Sequence, residues 1–579
     1  MGIKERLEVW APRAGAVEAV FNQRREPMMR DGEWWLLESE VSVGTDYRFS
    51  VDGGHPAPDP RSRCQPAGIH GPSRTVDHSL FEWTDRHWQA RPLASAVIYE
   101  LHIGTFTPEG TFDAAVPKLD HLVRLGITHV EIMPVNEFSG DYGWGYDGVD
   151  LFAPHHAYGG PEGLKRLVNA CHERGLAVIL DVVYNHFGPT GNYLNQFGPY
   201  TTDLHHTPWG PAVNLDGPQC HEVRRFICDN ALMWLRDYHF DGLRLDAVHA
   251  LIDTSATHIL DQLAMEVGAY QRHAGRHLAL IAESDLNDPR IVRPRELGGY
   301  GIDAQWSDDF HHAAHTLLTG ETAGYYADFG GFAPLAKAIE NVFVFDGCYS
   351  KHRNRLHGRS PDGIPAHRFV VCTQNHDQVG NRAAGDRSAS LMSPGRLRIA
   401  AGLTLMLPYV PMLFQGEEWA ASTPFQYFTD HREDWLIEAV SKGRISEFEA
   451  FGWKPEEVPN PQYRDTFLRS KLKWNELAKG DHAAMLHWYR CLIELRSQIA
   501  MVADERRPRV TFDEEQGWMA IHRGAVAFCF SVACEPVTIA MDAGNGSVLL
   551  AHSDPGVCFE SGSLTLAPDS FAVVGPQVP

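Results

Sequence analysis

The stretch DGLRLDAVHAL, residues 241–251, has the apolar content of a short buried strand but carries two charged side chains. In a strand, residues i and i+2 point the same way, so Arg244 and Asp246 share one face while Leu243 and Leu245 share the other. Burying charges is costly unless they are paired. A structural ion pair is one explanation. The other is that the pair faces the interior of a site, which the rest of the chain can test.

Similar apolar runs recur on both sides of this stretch, and segments with helical spacing separate them. One such segment has apolar residues at the i, i+3, i+4, i+7 spacing of a helix, namely Leu164, Leu167, Val168 and Cys171. Eight strand and helix repeats predict an α/β fold, a closed (β/α)8 TIM barrel. A doubly wound open sheet is the alternative, but its Gly-rich phosphate turn is absent. The eight predicted strands are VIYELHIGTF, THVEIMPV, AVILDVV, GLRLDAV, LALIAES, DAQWSDDF, FVVCTQ and YVPMLFQGEE.

The two ends of the chain have a different pattern. Residues 1–90 and 501–579 contain short alternating runs separated by turn residues, which predicts an N-terminal and a C-terminal β-sandwich domain. Residues 91–500 are the predicted barrel domain. Insertions at about 185–218 and 419–480 each follow a predicted strand, so we expect both to shape a cleft at the rim of the barrel.

Composition excludes several classes of partner. A formal net charge of −23 disfavours nucleic acid, and no apolar run reaches the roughly 18 residues that a membrane span requires. The N-terminus has no apolar signal core, and the ten cysteines are scattered without CxxC pairs. These features predict a cytoplasmic protein with an uncharged substrate, no nucleic-acid or membrane partner and no cofactor. They leave the oligomeric state open.

Polar residues recur at the ends of the other predicted strands. His186 ends the third, Glu283 the fifth, and His376 and Asp377 follow the seventh. One such residue alone would be better explained as a helix cap or a solvated rim residue. Three carboxylates, those of Asp246, Glu283 and Asp377, converging on one rim are harder to explain in that way.

Paired carboxyl groups of this kind suit the cleavage of a glycosidic bond. That reaction needs one carboxylic acid kept protonated and one ionised carboxylate on the opposite side of the anomeric carbon. Asp246, beside Arg244, suits the nucleophile, and Glu283, in an apolar context, suits the general acid/base. Asp377 would hold sugar hydroxyls and favour a positively charged transition state.

Four short motifs resemble the signatures of the α-amylase family, glycoside hydrolase family 13: DVVYNH (181–186), GLRLDAVH (242–249), AESD (282–285) and NHDQ (375–378). The resemblance implies the same three catalytic roles for Asp246, Glu283 and Asp377. It further implies a sugar subsite, which contains Arg244, His186, His376 and a stacking aromatic, Tyr146. The His249-Ala250 pair departs from the Lys-His of many amylases, which puts amylase-like acceptor contacts in doubt.

Longer stretches, among them YGWGYDGVDLFAPHHAYGGPEGLK, AESDLND and DAQWSDDFHH, are similar to family members that cleave the α-1,4 bond next to a terminal trehalose unit. That similarity implies retention of configuration and release of trehalose. It implies that several further residues line the site, and that Trp306 stacks on substrate. A solvated helix start with capping acids is the alternative for DDFHH. The additional site residues are His249, Asp308, Asp309, His311, His312, Gln378 and Asn381.

Two other functions stay open from the sequence. A branching or debranching enzyme would use the same three carboxylates, and a catalytically silent glucan-binding protein would not need them. A catalytic metal is not expected, because no HExxH motif or Cys/His cluster is present. A structural calcium near Asn185, in the loop after the third strand, is not ruled out by the sequence.

Overall fold

The computed structural model describes residues 4–449, 453–500, 507–541, 546–552 and 556–576. Its centre is a closed barrel of eight parallel strands, so the predicted fold is confirmed, and each of the eight predicted runs contains one barrel strand. In chain order the strands are β1 (Ile98–Leu101), β2 (His129–Ile132), β3 (Ala177–Val182), β4 (Gly242–Leu245), β5 (Ala279–Ala282), β6 (Ala304–Trp306), β7 (Phe369–Val371) and β8 (Val410–Phe414).

Closure of the barrel follows from the register of β1, where Ile98 is opposite both His129 of β2 and Met412 of β8. The interior is filled by side chains from alternating positions, including those of Ile98, Ile179 and Met412. On β4, Leu243 and Leu245 point outward into the larger core that the helices share, which leaves Arg244 facing the interior.

Helices cover the outside of the barrel. The helix predicted around residues 164–171 forms over Gly160–Glu173 and buries its apolar face, as its spacing indicates. No helix in the described part of the chain is long and apolar enough to cross a membrane. The α-helices are Ile103–Phe106, Phe112–Ala115, Leu119–Leu125, Gly160–Glu173, Leu194–Phe197, Cys220–Asp237, Ile259–Ala274, Asp308–Thr319, Phe332–Asn341, His376–Gly380, Ser388–Leu391, Pro394–Met406, Asp434–Glu449, Arg464–Arg469 and Gly480–Ile499.

Antiparallel sheets precede the barrel, as the alternating N-terminal pattern predicts. Three small sheets form here, and Trp10 packs edge-on against Tyr200 of the barrel domain with ring centroids 5.4 Å apart. The sheets pair Lys4–Glu5 with Val41–Ser42; Glu8–Trp10 with Trp34–Leu36 and Met29–Asp31; and Arg24–Pro27 with Val17–Phe21, Asp46–Val51 and Ser73–Arg74.

Two more antiparallel sheets follow the barrel and enclose an apolar layer that contains Cys529, Ile539 and Leu564. The predicted domain boundary at residue 501 lies outside the described residues. One sheet has the order Arg509–Asp513, Trp518–Arg523, Val526–Ser531, Ser570–Gly575, Ser547–Ala551, and the other Val537–Ala540, Ser563–Leu566, Cys558–Glu560.

Gly402 sets the spacing between the barrel helix Pro394–Met406 and the C-terminal sheet. A Cβ atom at Gly402 would lie 2.5 Å from the ring of the buried Phe571. We expect Gly402→Ala to lower the free energy of unfolding by about 1–3 kcal/mol, because the two elements would have to separate. The thermal melting midpoint measures this.

Gly443 offers a matched control, because it also lies in a helix but has no atom within 4 Å of an added Cβ. Gly443→Ala should leave the melting midpoint unchanged or raise it, since alanine favours a helix over glycine by about 1 kcal/mol. Equal midpoints for the two variants would contradict the contact with Phe571.

Four excursions extend from the C-terminal ends of the barrel strands, and the first, after β2, pairs Asn136–Glu137 with Asp150–Pro154. The segment after β3 contains a hairpin, Thr201–Thr207 with Gly210–Val213, and the segment after β8 contains the helices Asp434–Glu449 and Arg464–Arg469. The fourth excursion, between β6 and β7, was not predicted from the sequence. It contains the helix Phe332–Asn341 and the hairpin Asp346–Ser350 with Arg355–Gly358.

Candidate active site

The three predicted catalytic carboxylates lie at the C-terminal end of the barrel. Asp246 follows β4, Glu283 follows β5, and Asp377 lies in the short helix after β7. Arg244 joins two of them: its Nη1 is 2.7 Å from Asp246 Oδ1, and its Nη2 is 3.7 Å from Glu283 Oε2. The two carboxyl groups proposed as nucleophile and acid therefore meet at one guanidinium.

Arg244 is completely buried and forms a second ion pair, with Asp181 of β3, at 2.8 and 3.0 Å from Nη1 to the two carboxylate oxygens. The guanidinium carbon lies 4.3 Å from the centroid of the Trp306 ring. An arginine stays charged at every relevant pH, so this side chain places a permanent cation beneath the carboxylates. The charged residues in the GLRLDAV strand thus form part of a network.

Hydrogen bonds fix the orientation of Asp246. Asn185 Nδ2 donates to Asp246 Oδ2 at 2.7 Å and to its carbonyl oxygen at 2.9 Å, and His186 Nδ1 is hydrogen-bonded to Asn185 Oδ1. With Arg244 bound at Oδ1, both carboxylate oxygens of Asp246 have a donor. The two donors hold the Asp246 side chain in one orientation, as attack on a fixed anomeric carbon requires.

The residue after Asp246 adopts a backbone conformation that is rare for anything except glycine. Ala247 has φ 40° and ψ 51°, in the left-handed region. Its N–H donates to Glu283 Oε2 at 2.7 Å. Backbone strain of this type costs about 1–3 kcal/mol, and here it points an amide at the predicted acid.

Glu283 has the environment of a carboxyl group that stays protonated. Burial raises its pKa well above the ordinary value, the charge of Arg244 opposes the shift, and the carboxylates of Asp246 and Asp308 add to it. Its side chain nevertheless keeps 15% of its surface accessible. A proton can therefore be held at Glu283 near neutral pH and delivered to a molecule in the cleft.

A cleft of about 760 Å³ opens above these groups. Glu283 and Asp377 lie in its wall, together with three aromatic side chains, Trp306 at the end of β6, Tyr325 between β6 and β7, and Trp453 after β8. Aromatic faces of this kind suit the apolar faces of sugar rings. The predicted site residues that line the cleft are Glu283, Trp306, Asp308, His312, Asp377, Gln378 and Asn381.

Tyr146 and His376 lie together on the interior side of the network. Their rings are stacked with centroids 5.1 Å apart, and the Tyr146 hydroxyl is 2.6 Å from Asp181 Oδ2 and 2.7 Å from His376 Nε2. His186 Nε2 is 3.0 Å from the carbonyl oxygen of Tyr146, and the His186 ring stacks on Trp209. The structure thus brings Tyr146, His186 and His376 to the same network as Arg244.

Three of the predicted substrate-binding residues do not line the cleft. Asp309 is buried and accepts hydrogen bonds from the backbone N–H groups of Val344 and Phe345 at 2.7 and 2.9 Å, so it holds the loop after helix Phe332–Asn341. His311 is buried against the carbonyl oxygen of Thr373, 3.0 Å from its Nδ1. His249 is exposed and is not part of the cleft wall.

Several residues of this site were not predicted. Asp181 and Glu100 lie in the interior network, and both are charged residues inside apolar strands, the same signal that identified Arg244 and Asp246. The cleft residues Tyr325, Arg353 and Trp453 come from loops whose path the sequence pattern does not define.

Among the described residues, one group of histidine and acidic side chains is close enough to be considered for a metal ion: Glu137, His155 and His156. The two imidazole rings are stacked at 4.8 Å with an interplanar angle of 24°. Glu137 Oε1 is hydrogen-bonded to His156 Nδ1 at 2.6 Å, and Glu137 Oε2 accepts the backbone N–H of His156 at 2.9 Å. Asn185, considered for calcium, uses its amide group on Asp246 and His186.

Comparison with known proteins agrees with this geometry. Residues 77–202 match the family model described as alpha amylase, catalytic domain. A malto-oligosyltrehalose trehalohydrolase from Arthrobacter ramosus is 51% identical over 559 residues, which cover 95% of this chain and 96% of that protein. The chain belongs to the malto-oligosyltrehalose trehalohydrolase family.

A trehalohydrolase of this family is a glycoside hydrolase, as the four motifs predict. The crystal structure of a Salmonella typhimurium protein described as an alpha amylase is 37% identical, has a TM-score of 0.90 and covers 99% of both chains. A 1,4-alpha-glucan branching enzyme, GlgB of Vibrio parahaemolyticus, is more distant, at 33% identity over 483 residues, which cover 75% of this chain and 60% of the branching enzyme.

Proposed function

We propose that this protein hydrolyses the α-1,4 bond next to the terminal trehalose unit of malto-oligosyltrehalose, with retention of configuration, and releases trehalose and a maltooligosaccharide. The observation that carries the proposal is the meeting of Asp246 and Glu283 at one buried arginine, where burial raises the pKa of Glu283 well above its ordinary value. A retaining glycosidase needs this division of roles between two neighbouring carboxyls.

The first half of the reaction forms a covalent intermediate. Glu283 donates its proton to the glycosidic oxygen while Asp246 attacks the anomeric carbon, so the trehalose unit leaves with the proton and the sugar is bonded to Asp246. Asp377, whose side chain is 39% exposed in the cleft, stabilises the positive charge that develops on the sugar ring.

In the second half, Glu283 acts as a base. It takes a proton from water, whose oxygen attacks the anomeric carbon and displaces Asp246, and two inversions give net retention. Arg244 stays charged through both steps, which favours the return of Asp246 as a carboxylate leaving group.

The substrate contacts form part of the proposal. Trp306, which lies against Arg244, would stack on a sugar ring, and His312, Gln378 and Asn381 would bind hydroxyl groups along the same wall. Asp308 has its pKa raised to about 7 by burial and by Asp377, so near neutral pH it can both donate and accept hydrogen bonds.

That the enzyme works in the cytoplasm stays a prediction, consistent with the ten unpaired cysteines.

Product analysis tests the proposal. With maltotetraosyltrehalose we expect trehalose and maltotetraose in equal amounts, and proton NMR should show the new reducing end as the α-anomer before mutarotation. Maltohexaose, of equal length but without the trehalose unit, is the matched substrate and should be cut more slowly. A first-formed β-anomer would exclude retention, while branched glucan or chains released from α-1,6 branch points would favour the branching or debranching alternative.

A further inference from the structure

The His376 ring has a hydrogen-bond partner at each nitrogen. Glu100, on β1, is hydrogen-bonded through Oε1 to His376 Nδ1 and accepts the backbone N–H of His376 on Oε2 at 2.9 Å. On the other side of the ring, Nε2 is 2.7 Å from the hydroxyl oxygen of Tyr146. Both Glu100 and His376 are almost completely buried.

The protons available to this series of hydrogen bonds define the charge of the His376 ring. Tyr146 has a single hydroxyl proton, and the shortest contact of its oxygen is to Asp181 Oδ2 at 2.6 Å. Burial raises the pKa of Asp181 to about 6, although Arg244 opposes the shift, so Asp181 is ionised at neutral pH and can only accept. The Tyr146 oxygen must then accept a hydrogen bond, which requires a proton on His376 Nε2.

The same reasoning applies at the other nitrogen. Glu100 accepts the backbone N–H of His376 on Oε2 and meets Nδ1 with Oε1, the arrangement of a carboxylate that accepts two hydrogen bonds from one residue, and this places a proton on Nδ1. With both nitrogens protonated the ring is an imidazolium.

We propose that Glu100 is a positioning residue, which keeps His376 doubly protonated and thereby places a second fixed cation, beside Arg244, on the floor of the sugar site. The ionisation of the ring is inferred from these contacts together with the charge of Asp181, whereas its importance for turnover rests on the proposed function. His376 Nε2 is also 3.4 Å from Asp377 Oδ2, so the cation lies between the barrel interior and the carboxylate that faces the cleft.

The charges around His376 support this assignment. Burial alone lowers the pKa of the ring, but Asp377 and Glu100 outweigh burial and raise that pKa to about 9. The titratable groups that face the ring come from every neighbouring strand of the barrel: Glu100 and His102 from β1 and its end, Glu131 from β2, Tyr146 from the loop that follows, Asp181 from β3, Arg244 from β4 and Asp377.

Glu131 provides a matched control for Glu100. The two residues are register partners on β1 and β2, and both are buried glutamates. Glu131 has no hydrogen-bond partner among the described residues at either carboxyl oxygen, and burial raises its pKa well above the ordinary value. Glu131→Gln therefore replaces one neutral group by another, whereas Glu100→Gln removes a negative charge from His376.

The pH profile of kcat/KM, measured with 4-nitrophenyl α-maltotrioside as substrate, should distinguish the two variants. Its nitrophenolate leaves without protonation, so the alkaline limb of the profile does not report Glu283. We expect that limb near pH 9 in the wild type and in Glu131→Gln. In Glu100→Gln it should move down by at least about one pH unit, which corresponds to about fivefold lower kcat/KM at pH 9.

Nitrogen NMR of the histidine rings gives a readout that does not depend on turnover. The resonances of His376, assigned by their loss in His376→Gln, should show two protonated ring nitrogens at pH 7.5 in the wild type. A neutral ring in the wild type would overturn the proposal, whatever the products are and even if Glu100→Gln does not fold. An unchanged limb in a folded Glu100→Gln protein would overturn it as well. Absence of trehalose release, with the ring charged, would instead refute the proposed function.

Discussion

Asp246→Asn should lower kcat for malto-oligosyltrehalose by about 10⁴-fold or more while leaving the fold intact. The amide has almost the same shape as the carboxylate but is a far poorer nucleophile, and the loss of a covalent nucleophile has effects of this size. The new amide would still accept a hydrogen bond from Arg244, whereas its NH2 group would face the Nδ2 donor of Asn185 and lose that hydrogen bond. Initial rates with the purified variant measure the effect.

Asp303→Asn is the matched control for that experiment. Asp303 precedes β6, at the opposite end of the barrel, where it accepts the backbone N–H of Leu280 at 2.9 Å. Its replacement should affect stability and leave kcat near the wild-type value. If Asp246→Asn kept more than about a tenth of the activity with an unchanged circular dichroism spectrum, Asp246 would not be the nucleophile.

Glu283→Gln should have the second largest effect, and its size should depend on the leaving group. With malto-oligosyltrehalose we expect a loss of about 10²–10⁴-fold, the usual contribution of general acid catalysis, because the sugar oxygen must be protonated to leave. With the 4-nitrophenyl glycoside the loss in kcat/KM should be much smaller. Equal losses with both substrates would show that Glu283 is not the acid.

The wild-type pH profile gives an independent check on Glu283. A group that acts as an acid must be protonated, so kcat/KM for malto-oligosyltrehalose should fall as the pH rises through the raised pKa of Glu283. The nitrophenyl substrate should not show the limb that Glu283 sets, and should show only the limb near pH 9 that we assign to His376. An alkaline limb at the same pH with both substrates would mean that another group sets it.

The strand pattern was enough to predict the barrel, because buried parallel strands are short apolar runs and all eight are present in order. The carboxylates that stand at the strand ends were predicted for the same reason, since the barrel brings the ends of its strands to one rim. Glu100, Glu131 and Asp181 carry the same signal, a charge inside an apolar run, and a consistent use of that rule would have found them.

The cleft wall was harder to predict. Asp308 and Asp309 are adjacent in the sequence, yet the first lines the cleft and the second binds the backbone of Val344 and Phe345. Neighbouring residues on a helix face directions about 100° apart, so a motif alone does not say which of them reaches substrate. Trp453 depends on how the long segment after β8 folds, which local patterns do not determine.

The closure of the barrel between β1 and β8 has a consequence for the way this enzyme is made. Glu100 is translated early and Asp377 late, and the sheet that brings them together is sealed only when Met412 pairs with Ile98. A growing chain on the ribosome therefore already contains most of the reactive side chains but cannot assemble them until about residue 414 has emerged. We therefore expect no hydrolysis from a nascent form that ends before β8.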